Sequence, residues 1–157
     1  MAGVGQGLSR LTDATLEATL QVVMASVAAS KGYPEPPTRM AVVAMGRYGG
    51  FELSYGSDAD VMFVHDPIPG ADPHRASKYA IAVVNELRRV LALPATDPPL
   101  EVDADLRPEG KQGTLTRTLD SHLTYYKRWA KTWEFQALLT ARPMTADLRL
   151  SADYVAA

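Results

Sequence analysis

Residues 46–60, with the sequence GRYGGFELSYGSDAD, place a glycine-rich segment directly before two aspartates that stand two positions apart. Glycine tolerates positive φ angles and lets a backbone approach a ligand closely, so residues 46–56 are predicted to form a loop that contains a helical turn. Asp58 and Asp60 stand at the mouth of an apolar run, and side chains two residues apart on a strand leave the same face. The stretch therefore predicts a loop that enters a strand beside paired carboxylates.

Apolar patterns around this loop predict the strands of a small sheet. Residues 40–45 are a continuous apolar run that suits a buried strand, and residues 60–65 are predicted to form a second one. Residues 100–106 alternate strictly between apolar and acidic positions, which is the clearest strand pattern in the chain. Residues 114–116 are predicted to form a further short strand.

Three stretches have apolar residues at three- and four-residue spacing, which predicts helices at residues 8–31, 72–91 and 119–142. The order of these elements predicts an α+β fold in which helices pack on a small mixed β-sheet. Residues 1–157 are long enough for one domain with a sizeable core, and its catalytic sheet and loop are expected within residues 40–116.

The composition is that of an ordinary globular domain and argues against several classes of protein. Hydrophobic residues make up 46% and charged residues 22% of the chain, so disorder is not expected. The formal net charge of -2 argues against a nucleic-acid partner, because phosphates usually require a basic face. The absence of cysteine excludes disulfides and thiolate metal ligands. With no targeting segment and no run that could span a bilayer, a cytoplasmic protein without a membrane partner is expected.

The paired aspartates predict a magnesium site. Two carboxylates this close repel each other unless a cation lies between them, and Mg²⁺ prefers hard oxygen ligands together with substrate phosphates. A third carboxylate from residues 100–106 would complete a two-metal site, but spacing does not choose among Glu101, Asp103 and Asp105. An Asp-x-Asp pair alone is more often a solvated strand edge, and the adjoining glycines are what favour the magnesium hypothesis.

The glycine-rich segment is the candidate for binding phosphate. Backbone amides around Gly46, Gly49 and Gly50, together with the hydroxyl of Ser57, could hold the β- and γ-phosphates of a nucleoside triphosphate. The segment is not a P-loop, because no Gly-Lys-Ser/Thr sequence follows the glycines. The phosphate-binding hypothesis therefore depends on the neighbouring acids.

Three sequence blocks resemble the glutamine synthetase adenylyltransferase family, whose bifunctional members belong to the DNA polymerase β nucleotidyltransferase superfamily. The first block, residues 46–60, matches every fixed position of G-x-x-G-G-x-E-L-x-x-x-S-D-x-D. The second is V-D-x-x-L-R-P-x-G at residues 102–110, and the third is W-E-x-Q-A-L-x-x-A-R at residues 133–142. The blocks occur in the family's order and span most of residues 40–147.

The resemblance implies a role for each acid of the predicted metal site. Asp58 and Asp60 match the paired magnesium ligands of the family, and Asp103 matches its third acid, so these three are the implied catalytic residues. The glycine pair and the serine of the first block match the segment that binds the triphosphate. Magnesium, as two ions, is the implied cofactor and ATP the implied substrate.

The second and third blocks, and the position that follows the second block, also contain charged residues. Arg107 and Lys111 are candidates for stabilising charge on the phosphates, although exposed turn residues are about as common at such positions. Asp105 stands where many relatives have arginine, and pairing with Arg107 or Lys111 is the alternative to a place among the metal ligands. Glu134, Gln136 and Arg142 are expected to order the last predicted helix against the active site.

The resemblance further implies an activity and partners. The expected reaction is transfer of AMP from ATP to a tyrosine of glutamine synthetase, in the C-terminal adenylylating domain of a larger multidomain enzyme that also responds to a nitrogen-signalling regulatory protein. Phosphorolytic removal of AMP is one alternative, and a catalytically silent docking module of the same fold is another. A nucleic-acid polymerase is the fourth hypothesis, and the near-neutral charge argues against it.

Overall fold

An antiparallel pair of strands on either side of the glycine-rich segment forms the centre of the sheet. The computed structural model describes residues 2–95, 98–144 and 147–157. Strand β1 (Thr38–Ala44) pairs along its whole length with strand β2 (Ala59–Pro67). Nearly all of β1 and most of β2 are buried, because helices cover both faces of the sheet, and this explains their continuous apolar sequences.

Three shorter strands in the described residues complete a five-stranded mixed sheet: β3 (Val102–Asp103), β4 (Thr116–Thr118) and β5 (Arg142–Met144). Strand β3 runs parallel to the first residues of β2, and β4 runs parallel to later residues of β2 along the same edge. Strand β5 is antiparallel to β1 on the opposite edge. The α+β fold predicted from the sequence is confirmed.

Helices cover both faces of this sheet. They are α1 (Ala2–Ser30), α2 (Gly46–Gly49), α3 (Pro73–Leu91), α4 (Leu119–Arg128), α5 (Thr132–Leu138) and α6 (Leu148–Ala156). Helices α1 and α3 share one apolar core with the sheet, while α4, α5 and α6 contribute to a second core on the other face. None of these helices is both long enough and apolar enough to cross a lipid bilayer.

Alternation along β2 decides which face receives the predicted acids. Ala59, Val61 and Phe63 belong to the core beneath α1 and α3, whereas Met62 and Val64 belong to the core beneath α4 to α6. Each fully buried valine or methionine of these cores contributes about 1.5–3 kcal/mol to folding, so a one-residue slip of β2 is strongly disfavoured. The aspartate between Ala59 and Val61 therefore lies on the α4–α6 face.

Several predicted elements are confirmed with small changes in their bounds. The strands at residues 40–45 and 60–65, the helix at residues 72–91 and the helical turn after β1 all form. Helix α1 begins at Ala2 instead of residue 8, although three glycines precede Leu8. One of them, Gly5, packs so closely on the loop that a Cβ there would lie 2.9 Å from the Phe51 carbonyl oxygen. Tertiary packing therefore outweighs the low helix propensity of glycine.

The predicted strand at residues 100–106 is mostly wrong. Regular pairing is limited to Val102 and Asp103, after which the Asp103 carboxylate accepts a hydrogen bond from the Asp105 amide at 2.7 Å. This local turn replaces the next bonds of the ladder. Leu106 then packs against the α4–α6 core, on the face opposite to Val102. The predicted strand at residues 114–116 forms slightly later, at Thr116–Thr118.

The single helix predicted at residues 119–142 is also wrong. Helix α4 ends at Arg128 and α5 begins at Thr132, because the Glu134 carboxylate accepts a hydrogen bond from the Lys131 amide at 2.7 Å and so starts a new helix. The last residue of the predicted helix, Arg142, is the first residue of strand β5. Helix α6 was not predicted from the sequence.

Candidate active site

Strand pairing brings two of the predicted metal ligands side by side. Asp60 of β2 is the register partner of Asp103 in β3, and residues paired in this way project from the same face of a sheet. Asp58 is exposed two residues before Asp60, and Asp105 follows β3 in a half-buried position. We call these four aspartates the acid edge.

The carboxylates of the acid edge repel one another. Burial raises the pKa of Asp60 above its usual value, and the negative charges of Asp103, Asp58 and Asp105, in that order of effect, raise it further. Glu101, which is exposed, is not among the groups that raise it. The electrostatics thus favour Asp103 over the other two candidates for the third acid. A bound cation would relieve the repulsion that raises the pKa of Asp60.

Gly46 lies directly against the acid edge. Its φ angle is +53°, which favours glycine, and a Cβ at this position would lie 2.7 Å from Asp60 Oδ2. The preceding residue, Met45, donates its amide to the Asp60 carbonyl oxygen at 2.8 Å. Gly46 therefore lies beside the acids, as expected for a residue of the predicted phosphate-binding segment.

The glycine pair has a packing role in this structure. A Cβ at Gly49 would lie 2.0 Å from the Thr140 carbonyl oxygen and 2.7 Å from that of Ala44, so only glycine fits. The amide of Gly49 is donated to Met45 and that of Gly50 to the Gly46 carbonyl oxygen. Contact between these glycines and a nucleotide stays a prediction, and both amides already have intramolecular acceptors.

Ser57 lies in the turn that leads into β2. Its hydroxyl is 2.6 Å from the Ser54 hydroxyl, and its amide is donated to the Ser54 carbonyl oxygen. The turn reverses at Gly56, whose φ angle is +74°. Ser57 is half-buried next to Asp58, so its predicted contact with phosphate is compatible with its position.

An ion pair between distant parts of the chain braces the glycine-rich segment. Arg142 in β5 donates to both carboxylate oxygens of Asp13 in α1, at 2.9 and 3.0 Å, and its guanidinium lies 4.0 Å from the centre of the Phe51 ring. The Tyr48 hydroxyl donates to the same carboxylate at 2.6 Å. Arg142 also donates to the Gly49 carbonyl oxygen at 3.4 Å. Arg142 therefore orders the glycine segment, not a helix as predicted.

The second block folds into a loop that is braced by its own arginine. Arg107 is buried and donates to the carbonyl oxygens of Ala104 at 2.8 Å, Gly113 at 3.0 Å and Lys111 at 3.1 Å. Since its nitrogens are engaged in this way, the arrangement does not support the predicted contact of Arg107 with a nucleotide. Asp105 forms ion pairs with Lys111 at 3.2 Å and with Arg107 at 3.5 Å, so the pairing expected for this acid is confirmed. The Lys111 side chain is 80% exposed and remains available.

A groove of about 760 Å³ lies between α4 and α5, apart from the acid edge. Its walls combine aromatic and charged side chains, including Tyr125, Trp129, Trp133, Arg117 and Glu109. None of the four acid-edge aspartates lines it. We place the candidate site at the acid edge because three further aspartates lie near Asp60 there and raise its pKa, whereas the charges that line the groove are mixed.

The donor set of the acid edge suits Mg²⁺. Carboxylate oxygens are the ligands this ion prefers, and a cation among these aspartates would offset the charges that raise the pKa of Asp60. Within the described residues, however, no three acidic or histidine side chains already converge around one point as metal ligands. Asp60 and Asp103 are nevertheless register partners on one face of the sheet, where rotation of the side chains would bring both carboxylates to one ion.

Comparison with known proteins agrees with the three sequence blocks. The sequence profile described as glutamate-ammonia ligase adenylyltransferase matches residues 1–156. The chain is 52% identical over 153 residues to a protein of Streptomyces avermitilis, 50% over 151 residues to one of Corynebacterium diphtheriae and 47% over 152 residues to one of Nocardia farcinica. Each of these relatives is named bifunctional glutamine synthetase adenylyltransferase/adenylyl-removing enzyme.

The matches cover nearly all of this chain but a small part of each relative. For the Streptomyces avermitilis protein the match covers 97% of the chain and 15% of the relative. The corresponding values are 94% and 14% for Corynebacterium diphtheriae, and 97% and 15% for Nocardia farcinica. The chain thus spans about one seventh of the proteins it resembles. The family resemblance drawn from residues 46–60, 102–110 and 133–142 is confirmed. The chain belongs to the glutamate-ammonia ligase adenylyltransferase family.

Proposed function

We propose that this chain supplies the metal-binding acids of an enzyme that transfers AMP from ATP to a tyrosine of glutamine synthetase. The observation that carries the proposal is the pairing of Asp60 with Asp103, which places two mutually repelling carboxylates on one face of the sheet. The names of the relatives support adenylyl transfer as the reaction and glutamine synthetase as the acceptor protein.

Asp58, Asp60 and Asp103 are the proposed ligands of two Mg²⁺ ions. When bound, magnesium would neutralise charge on the triphosphate and lower the pKa of the attacking hydroxyl. The protein's part is to hold these carboxylates close together before the ions arrive, through the backbone pairing of β2 and β3. Gly46 leaves the Asp60 carboxylate uncovered where a larger residue would clash with it.

In the proposed reaction the tyrosine oxygen forms a bond to the α-phosphorus of ATP. The bond from that phosphorus to the oxygen bridging the α- and β-phosphates breaks, pyrophosphate leaves, and the hydroxyl proton passes to solvent. The protein contributes position and electrostatics instead of a covalent intermediate. Lys111 is the proposed cation for the leaving phosphates, because its amine is largely exposed beside the acid edge.

The wider setting is part of the same proposal. We place the enzyme in the cytoplasm, where ATP is available, and expect a nitrogen-signalling protein to regulate the longer polypeptide. In the alternative, phosphorolytic removal, a phosphate oxygen forms a bond to the phosphorus of the attached AMP, the bond to the tyrosine oxygen breaks, the tyrosine regains a proton and ADP leaves. The relatives' names include an adenylyl-removing activity. No contact in the described residues favours a catalytically silent docking module.

Incubation of the longest natural polypeptide containing this chain with glutamine synthetase, MgCl₂ and ATP labelled at the α-phosphorus tests the proposal. Label should appear on a glutamine synthetase tyrosine, and Asp103→Asn should lower the rate about 10²–10³-fold. Glu101→Gln is the matched control, because it removes the same charge from an exposed residue two positions away. Equal rates for wild type and Asp103→Asn would contradict the proposal, and release of label by added phosphate would identify the removing activity instead.

A further inference from the structure

Glu134 is a buried carboxylate whose hydrogen bonds connect three separate segments. Its side chain is 1% exposed. Oε1 accepts from the Tyr125 hydroxyl at 2.8 Å and from the Glu109 amide at 3.2 Å, while Oε2 accepts from the Lys131 amide at 2.7 Å. A buried carboxylate is tolerated only when donors surround it in this way. Glu134 therefore connects α4 and the start of α5 to the loop that follows β3.

The contact on that loop is made by a strained residue. Glu109 has a φ angle of +65°, in the left-handed region that non-glycine residues rarely adopt, and Gly110 follows at +56°. This turn aims the Glu109 amide at Glu134 and at the Tyr125 hydroxyl oxygen, 3.2 Å away. The Glu109 carboxylate is held by an ion pair with Arg117. Such a conformation persists only where surrounding contacts stabilise it.

Hydrogen bonds within the loop connect Glu109 to the acid edge. We call residues 103–113 the acid loop. Arg107 ties the Ala104, Lys111 and Gly113 carbonyl oxygens together, and the Asp105 amide is bonded to the Asp103 carboxylate. A loop with this many internal bonds moves as a unit, so its anchor at Glu109 determines where Asp103 stands.

We propose that Glu134 is a positioning residue for Asp103, acting through the Glu109 amide and the Arg107-braced acid loop. The proposal rests on the proposed function in one respect, namely that Asp103 binds the metal ion. In this role Glu134 acts through the Glu109 amide and is not itself a ligand of the metal. Its removal should release the left-handed turn at Glu109 and let Asp103 move away from Asp60, which weakens cation binding.

The alternative is a purely structural role, in which Glu134 only caps the start of α5. Gln136→Gly separates the two roles, because Gln136 is exposed on the same helix and glycine there weakens α5 without touching Glu109. Tyr125→Phe provides the converse variant. It removes the hydroxyl that bonds both Glu134 and the Glu109 amide and leaves the helix start untouched.

The experiment measures Mn²⁺ affinity by electron paramagnetic resonance, in the longest natural polypeptide containing this chain, alongside hydrogen exchange of the Glu109 amide. Glu134→Gln and Tyr125→Phe should each weaken Mn²⁺ binding about tenfold and speed exchange at Glu109, and Gln136→Gly should do neither. The AMP-transfer kcat should fall with Mn²⁺ affinity while KM for glutamine synthetase stays within about twofold.

The outcomes separate this inference from the proposed function. Unchanged Mn²⁺ affinity in Tyr125→Phe, or an equal loss in Gln136→Gly, would overturn the positioning role even if the wild type transfers AMP. Because Tyr125→Phe keeps the buried carboxylate, it decides the matter if Glu134→Gln fails to fold. Weaker Mn²⁺ binding in the two variants, with no AMP transfer by the wild type, would support the positioning role and refute the proposed reaction.

Discussion

The glycine segment and the acid loop approach Asp60 from opposite sides of β2, and each is braced by an arginine. The brace of the glycine segment comes from far away, since Arg142 pairs with Asp13, 129 positions earlier in the chain. The brace of the acid loop is local, since Arg107 donates only to carbonyl oxygens within ten residues of itself. The first arrangement depends on the assembled fold, whereas the second forms within one short segment.

Because the two braces differ, the aspartates of the acid edge should differ in how easily they are displaced. Asp60 is fixed by a strand in the middle of the sheet, and Asp58 directly precedes that strand, so their positions should change little unless the domain unfolds. Asp103 belongs to a two-residue strand at the sheet edge, and its loop has its own anchor at Glu109. Asp103 can therefore be displaced by a local change that leaves the rest of the domain folded.

The largest effect is expected from Gly49→Ala in the glycine segment. The added methyl group would overlap the Thr140 and Ala44 carbonyl oxygens, so the free energy of unfolding should fall by about 3 kcal/mol or more. Gly50→Ala is the matched control. Its Cβ would find ordinary contacts at 3.7 Å or beyond, and less than about 0.5 kcal/mol should be lost. Equal losses in urea unfolding would contradict the packing described for Gly49.

The two arginine braces should fail in different ways. Arg142→Met leaves Asp13 partly buried without its partner and should lower the global free energy of unfolding by about 2 kcal/mol. Arg107→Met frees three carbonyl oxygens of the acid loop and should speed hydrogen exchange in residues 103–113 beyond any change in the rest of the chain. Hydrogen exchange by mass spectrometry checks both. Faster exchange confined to one segment in Arg142→Met would contradict this comparison. A lower global free energy of unfolding in Arg107→Met, without faster exchange specific to residues 103–113, would also contradict it.

A smaller, pH-dependent effect is expected at Asp60. Since its folded-state pKa is raised above the unfolded value, the ionised carboxylate destabilises the fold at every pH above that raised pKa. Asp60→Asn should therefore raise the thermal unfolding midpoint at neutral pH without metal. The gain should shrink as the pH falls through the folded pKa and vanish below the unfolded one. A gain that grows on acidification would refute the repulsion at the acid edge.

The smallest change in stability is expected from Lys111→Ala. Its amine is largely exposed in its pair with Asp105, so the free energy of unfolding should change by less than about 0.5 kcal/mol. If the amine contacts the phosphates of ATP, KM for ATP should rise several-fold with the fold intact. Unfolding curves and ATP-dependent rates measured on the same sample distinguish these effects, and an unchanged KM would remove Lys111 from the phosphate site.

The strands that the sequence predicts correctly are those whose local residue pattern matches their place in the fold. The apolar runs of β1 and β2 and the aspartates beside them were predictable, because a strand buried on both faces must be apolar throughout. The alternation of residues 100–106 predicts a longer strand than the one that forms. The Asp103 carboxylate accepts a hydrogen bond from the Asp105 amide, and this turn ends the strand. A competing side-chain hydrogen bond of this kind leaves no trace in periodicity.

The braces were less predictable than the ligands. Glu134 and Arg142 stood out as members of a sequence block, but their partners Glu109 and Asp13 had no local signal. Asp13 is one acid on a long helix, and only the fold brings it to Arg142. The left-handed turn at Glu109 was hidden as well, because glutamate rarely adopts it and glycine follows at the next position.

The central claim, that Asp58, Asp60 and Asp103 together bind the metal ions of a nucleotidyl transfer site, is tested most directly by a crystal structure with Mn²⁺ and a non-hydrolysable ATP analogue. The anomalous scattering of manganese locates each ion independently of the protein model. The account predicts anomalous peaks coordinated by carboxylate oxygens of all three aspartates, with the analogue's phosphates on the same ions. Peaks held by other side chains, such as Glu109 in the α4–α5 groove, with the acid edge left without metal, would contradict it.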